Sequence, residues 1–131
     1  MEIKTEKPKC FDRLVQVFNI EEAWEKGLII TYGAQIHCKY GSIPPDLEVH
    51  ELVHVRQQEG IDPDTWVERF IEDLDFRRDV EVEAFQAQAK YLRENIKDRN
   101  DLAKRLHFIH CSISSKLYGN MMTYSEANEL I

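Results

Sequence analysis

The chain has 131 residues, 43% hydrophobic and 31% charged, enough to bury one core with little room for a second domain, and a balance that excludes disorder. Its 24 acidic residues outweigh 17 basic ones for a net charge of −7, which argues against a nucleic-acid partner, because phosphate binding needs clustered Lys and Arg. Three scattered cysteines, no apolar leader and no apolar run near the ~18 residues of a membrane span point to free thiols in a soluble, cytoplasmic protein with no membrane partner.

In chain order, residues 1–9 are polar and charged and read as a loose arm. A helix over residues 20–26 is closed by Gly27. Leu28-Ile29-Ile30-Thr31-Tyr32 is β-branched and aromatic, hence a strand. Gly33 permits a turn, and residues 35–40 supply an antiparallel partner in a sheet of two or three strands. Two prolines, Pro44 and Pro45, suit entry to a helix over about 46–58 that stops at Gly60. Leu47, Val49, Leu52, Val53 and Val55 spread over much of that helix's circumference, the pattern of a buried central helix. Asp62 caps the next helix with Pro63 in its first turn, and Trp66, Val67, Phe70, Ile71 and Leu74 form its stripe. A further helix spans about 76–95. The last is capped by Asn100 or Asp101, carries Leu102, Leu106, Ile109, Ile113 and Leu117, and ends near Gly119. The fold expected is α+β and mainly helical, one domain over residues 1–131, with a small antiparallel sheet against the central helix.

That central helix holds His50-Glu51-Leu52-Val53-His54. Histidines four apart project from one helix face and can bind one metal ion. Glu51, rotated about 100° from His50, is placed to act as general base on a water that zinc has made acidic. A bland alternative is a buried helix whose two histidines are merely hydrogen-bonded. A zinc site needs a third protein ligand, and HExxHxxGxxH does not supply it, because Gln57 and Gly60 stand where glycine and histidine would be needed.

The segment Asp79-Val80-Glu81-Val82-Glu83-Ala84-Phe85 offers two carboxylates. Glu81 shares a helix face with Ala84, Phe85, Gln88 and Leu92, which should look inward. Glu83 shares one with Gln86, Ala87, Lys90 and Glu94, which should look outward, where it pairs with Lys90 or Arg78. Glu81 is therefore the favoured ligand and Glu83 the second choice. His107 and His110, i and i+3 on the last helix, are competing candidates, as ligand or as oxyanion donor. His37 has no particular claim.

The run His50-Glu51-Leu52-Val53-His54-Val55-Arg56-Gln57-Gln58, with Glu81-x-x-Ala84 some 27 residues after His54, resembles the zincin-like metallopeptidases of gluzincin type. It is also similar to small bacterial and phage HExxH domains. The resemblance covers roughly residues 28–92. It implies a zincin-like fold, zinc held by His50, His54 and Glu81, Glu51 as catalytic base, and a protein or peptide substrate lying extended along the strand segment 28–40 by β-augmentation. Phe85 stands where many relatives carry Asp or Asn, so any histidine-orienting role passes to Asp75 or Asp79, or is absent. So small a chain builds only a shallow cleft unless a homo-oligomer or protein partner completes it. The leading expectation is a zinc metallopeptidase. The alternatives are a zinc-binding domain of the same fold serving assembly or protein interaction, and a helical interaction module whose histidines are accidental.

Overall fold

The computed structural model describes residues 2–131. In chain order the elements are β1 (Ile3–Lys4), α1 (Phe11–Val15), α2 (Glu21–Glu25), β2 (Ile29–Tyr32), β3 (Gln35–Cys38), α3 (Pro45–Gln57), α4 (Pro63–Glu72), α5 (Leu74–Asn95), α6 (Arg99–Ile113), a 3-10 turn at Lys116–Tyr118, and α7 (Tyr124–Leu130). The architecture is α+β and mainly helical. No helix among the described residues is long and apolar enough to cross a membrane.

Local chemistry sets the boundaries. Gly33, at φ 61°, opens the two-residue turn joining β2 to β3, where glycine takes a backbone conformation costly for other residues. The side chains of Asp62, Asp73 and Asp98 accept hydrogen bonds from the amides of Thr65, Phe76 and Asp101, capping α4, α5 and α6. Helix α6, expected to be the last, is thus capped at Asp98 rather than at Asn100 or Asp101, since the Asp101 amide is the donor. It stops at Ile113 rather than near Gly119. There Ser114 and Ser115 turn their hydroxyls back onto the carbonyls of His110 and Ser112, offering the backbone an alternative to further helix. The terminal helix α7 was not anticipated, although Thr123 and Glu126 form a reciprocal capping box at its start.

The arm expected to be loose is ordered over its described residues, with Met1 lying outside them. Ile3 and Lys4 pair in parallel with Ile36 and His37 of β3. His37 Nδ1 meets the Glu6 carbonyl at 2.9 Å, and Pro8 is buried. A central strand needs partners on both sides, and β1 supplies the second. The sheet order is β1-β3-β2, mixed rather than purely antiparallel, with β2 pairing antiparallel to β3.

Helix α3 packs between β2 and the long α5, which also contacts α4 and α6. Two apolar clusters flank this seam. One joins Phe11, Leu14, Phe18 and Trp24 of the N-terminal helices and their connections to Trp66 and Ile71 of α4. The other joins Phe85 and Leu92 of α5 to Ile109 and Ile113 of α6 and to Met121 and Met122.

Arg77 ties the two halves together. It is buried and has no carboxylate partner among the described residues. Its guanidinium donates instead to the carbonyls of Phe70 (2.9 Å), Ile71 (2.7 Å) and Tyr118 (3.3 Å), and lies over the rings of Phe18 and Phe70. Two of those carbonyls end α4, where a cation is favoured. Replacing Arg77 by alanine leaves three inward-facing acceptors short of donors. Arg77→Ala should lower the free energy of unfolding by about 3 kcal/mol in urea titration. Arg77→Lys should recover little, lacking the planar fork.

Candidate metal centre

Helix α3 gives most of its buried positions to polar side chains. Of its apolar residues only Val53 is buried; Leu47, Val49, Leu52 and Val55 are half-buried, whereas His50, Glu51, His54 and Gln58 are buried. Polar side chains placed inward need partners there, and α5 and β2 provide them.

His50 and His54 project from one face of α3, ring centroids 5.0 Å apart. Facing them from α5 is Glu81, only 3% exposed. Its Oε1 lies 2.9 Å from His54 Nε2, and its Oε2 lies 3.6 Å from His50 Nε2. That second oxygen is buried without any hydrogen-bond partner among the described residues. Glu51 stands beside the group, its Oε2 3.7 Å from His50 Nε2 and its Oε1 accepting the Thr31 hydroxyl at 3.0 Å. Ligand atoms of His50, Glu51 and His54 all lie within 4.8 Å of one another, so this group could hold a metal ion.

The surrounding amides fix which imidazole nitrogen faces inward. The Gln88 amide nitrogen donates to the Asp46 carboxylate at 2.8 Å, and the Gln57 amide nitrogen donates to the Val80 carbonyl and the Glu83 carboxylate. These partners only accept, so each glutamine must turn its oxygen the other way. Gln88 Oε1 faces His50 Nδ1 at 3.1 Å, and Gln57 Oε1 faces His54 Nδ1 at 2.8 Å. Both Nδ1 atoms are therefore donors, and in the neutral rings both Nε2 lone pairs point at Glu81. Two imidazole nitrogens and an incompletely satisfied carboxylate suit a divalent cation of borderline softness. The rings are wedged between aromatic walls, His50 edge-on to Phe85 at 4.4 Å and His54 to Trp66 at 6.0 Å.

Electrostatics follow from burial and proximity. Burial alone would lower the His54 pKa, but the adjacent Glu81 carboxylate overrides it and raises it to about 9. Burial would raise Glu81, yet the two histidines hold it down to about 2. Glu51 is raised because burial outweighs the pull of His50 and His54, and Glu81 pushes in the same direction. A proton on His54 thus does in the metal-free protein what a cation would do.

Helical phase separated the two glutamates correctly: Glu81 is buried, while Glu83 is exposed and bonds Gln57 rather than Lys90 or Arg78. The histidine-orienting role reaches neither Asp75 nor Asp79, both exposed, but falls to Gln57 and Gln88. In the sequence, Gln88 was visible only as an inward-facing polar residue one turn after Phe85. Thr31 carried no signal, because its partner Glu51 is set by the packing of β2 on α3. His107 and His110 lie elsewhere: His107 meets the Tyr124 hydroxyl at 2.7 Å, and His110 stacks edge-on to Tyr124.

The cluster forms the floor of a partly open cavity of about 110 Å³. Its walls are mainly apolar side chains of the N-terminal segment, β2 and α4, with Leu117 and Tyr118 at one side. Tyr118 packs edge-on to Phe85, and burial, then the charges of Glu81 and Glu51, raises its phenol well above the usual value. Gln58 closes the end of α3 against the hairpin, donating to the Thr31 carbonyl (3.1 Å) and accepting from the Gly33 amide (2.6 Å). Comparison with family models, with curated proteins and with solved structures gave no match for this chain.

Two measurements test the arrangement. Gln88→Leu removes the acceptor that fixes His50 and should weaken metal binding about 10- to 100-fold in competition with a chromophoric chelator. Because His54 carries a proton until about pH 9 in the metal-free protein, metal uptake at pH 7.5 should release about one proton in calorimetry across buffers of different ionisation enthalpy. Affinity should therefore rise with pH up to that value and then level off.

Proposed function

We propose that the chain is a zinc-dependent metallopeptidase, a zincin-like domain of gluzincin type in which His50, His54 and Glu81 hold zinc. One observation carries this reading. Both imidazole Nε2 atoms face a buried carboxylate, one of whose oxygens has no hydrogen-bond partner among the described residues, while Glu51 is held just aside by Thr31. Three N and O ligands match the donor set of catalytic zinc sites, which keep a position open. Bound there, zinc would supply a Lewis acid that makes water acidic enough to lose a proton near neutral pH.

The rest belongs to the protein. Glu51 accepts the proton of the attacking water at Oε2, since Oε1 is held by the Thr31 hydroxyl, and returns it to the leaving amine. Burial raises its pKa, which makes it a stronger base than a solvated carboxylate. The Tyr118 phenol, on the cavity wall and making no side-chain hydrogen bond among the described residues, is the available donor to the carbonyl oxygen as it gains charge. β1 covers one side of β3, so an extended substrate would pair with the outer edge of β2. Gln58 already takes the Thr31 carbonyl and the Gly33 amide, which confines that pairing to the strand ahead of Thr31.

A second reading is favoured by burial: His50, Glu51, His54 and Glu81 are only 3–6% exposed, as in closed structural zinc sites. Zinc would then staple α3 to α5 in a domain serving assembly or protein binding. The two readings part at Glu51. Elemental analysis should find about one zinc per chain, lost in His54→Ala and Glu81→Ala; a zinc-free wild type sinks both. Glu51→Gln should keep the metal and cut peptide cleavage by about 10²-fold or more. Retention of full biological activity in that variant would favour the structural role.

A further inference from the structure

Away from the α3–α5 cluster, α6 carries another pair of metal-ligating side chains. His107 and Cys111 stand one turn apart on one face of that helix, and both are exposed. His107 Nε2 lies 3.4 Å from Cys111 Sγ. Donors on one tetrahedral zinc, with sulfur at about 2.3 Å and nitrogen at about 2.0–2.1 Å, stand about 3.5 Å apart. The pair therefore already has the separation of shared ligands. The imidazole is oriented as well, because Nδ1 meets the Tyr124 hydroxyl at 2.7 Å. A proton on Nδ1 donated to that oxygen leaves the Nε2 lone pair for a metal. Tyr124 opens α7, where the capping box of Thr123 and Glu126 fixes the start of the helix. His110 is buried edge-on to Tyr124, so of the two histidines on α6 only His107 reaches the surface.

We propose that His107 and Cys111 form half of a zinc site, and that a second copy of the chain supplies the other half. The site is independent of the metallopeptidase reading. Two ligands are too few for a structural zinc, which takes four. Among the described residues the one trio of His, Cys, Asp or Glu groups close enough to share a metal is His50, Glu51 and His54, so no third donor of these types joins the α6 pair from its own chain. A two-fold axis through the metal repeats each ligand once, giving two sulfurs and two nitrogens, a closed tetrahedral set. Two thiolates cancel the charge of zinc, so the centre enters the seam neutral. Phe108 precedes Cys111 by three residues and borders the pair on the helix surface. It is 68% exposed, more than any other large apolar side chain among the described residues, and packed against its copy it shields the metal from water. Each chain carries a net charge of −7, and that repulsion opposes association through one apolar contact alone. The dimer therefore depends on the metal.

Cobalt(II) titrated into the reduced wild-type chain tests this, because its sulfur-to-metal charge-transfer band in the near ultraviolet reports thiolate ligands alone. His50, His54 and Glu81 offer no sulfur, and Cys10 and Cys38 are buried. The band should appear, and wild type should bind about one cobalt per two chains more than Cys111→Ser does. The sedimenting mass should double as the band saturates, a chelator should restore the monomer, and zinc alone should produce the same dimer. His107→Ala and Cys111→Ser, both at exposed positions, should each lose the band and the dimer. Phe108→Asp leaves every ligand in place and should weaken dimerisation by at least about tenfold. Absence of the band overturns the site. A band that saturates at one cobalt per chain in a monomer overturns the second copy, as does a dimer that survives the chelator.

Discussion

The structure turns on one electrostatic demand: a carboxylate and two imidazoles are buried together where α3 meets α5, and a cation or a proton must sit among them. Glu81 could be buried only because His50 and His54 are there to hold its charge. The histidines in turn are oriented by Gln88 and Gln57, and those amides by Asp46, Val80 and Glu83. Each shell fixes the donors and acceptors of the one inside it. This explains why α3 gives its buried face to polar residues and leaves Leu47 and Leu52 half-exposed. A helix chosen for apolar packing would do the reverse.

Much of this was legible in residue types and spacing. The i, i+4 histidines, the helical phase of Glu81 against Glu83, the prolines opening α3 and α4, and the aspartate cap at Asp62 all act within a few residues, so sequence records them directly. What escaped depends on contacts between distant segments. Thr31 reaches Glu51 across 20 positions and Gln88 reaches His50 across 38, and neither distance leaves a local pattern. The arm was misread for the same reason: Ile3 and Lys4 look like solvated chain until β3 offers an edge. The central position expected for α3 holds, since it packs between β2 and α5, but hydrophobicity alone does not tell which of its side chains find partners inside.

The two apolar clusters divide the labour. The C-terminal one, built on Leu92, Ile109 and Ile113, backs α5 and so keeps Glu81 facing α3. The N-terminal one encloses the space above the His50, His54 and Glu81 cluster and shares Trp66 with the wall behind His54. Arg77 crosses between them, binding the end of α4 and the Tyr118 carbonyl. The position of the Tyr118 phenol relative to Glu51 and Glu81 is thereby coupled to the packing of Phe18 and Phe70, well outside the site.

Gln58 has a bearing on the life of the protein in a crowded solution as well as on its site. A sheet with a bare margin recruits strands from neighbouring molecules, and natural proteins blunt such margins. Here the strands are four residues or fewer. One margin is the two-residue β1, and at the other Gln58 occupies a carbonyl and an amide of the β2 hairpin. Ahead of Thr31 only Ile29 and Ile30 of the strand remain, a margin too short to template another chain, so the same glutamine that fixes the hairpin to the motif helix also guards the molecule against its own copies.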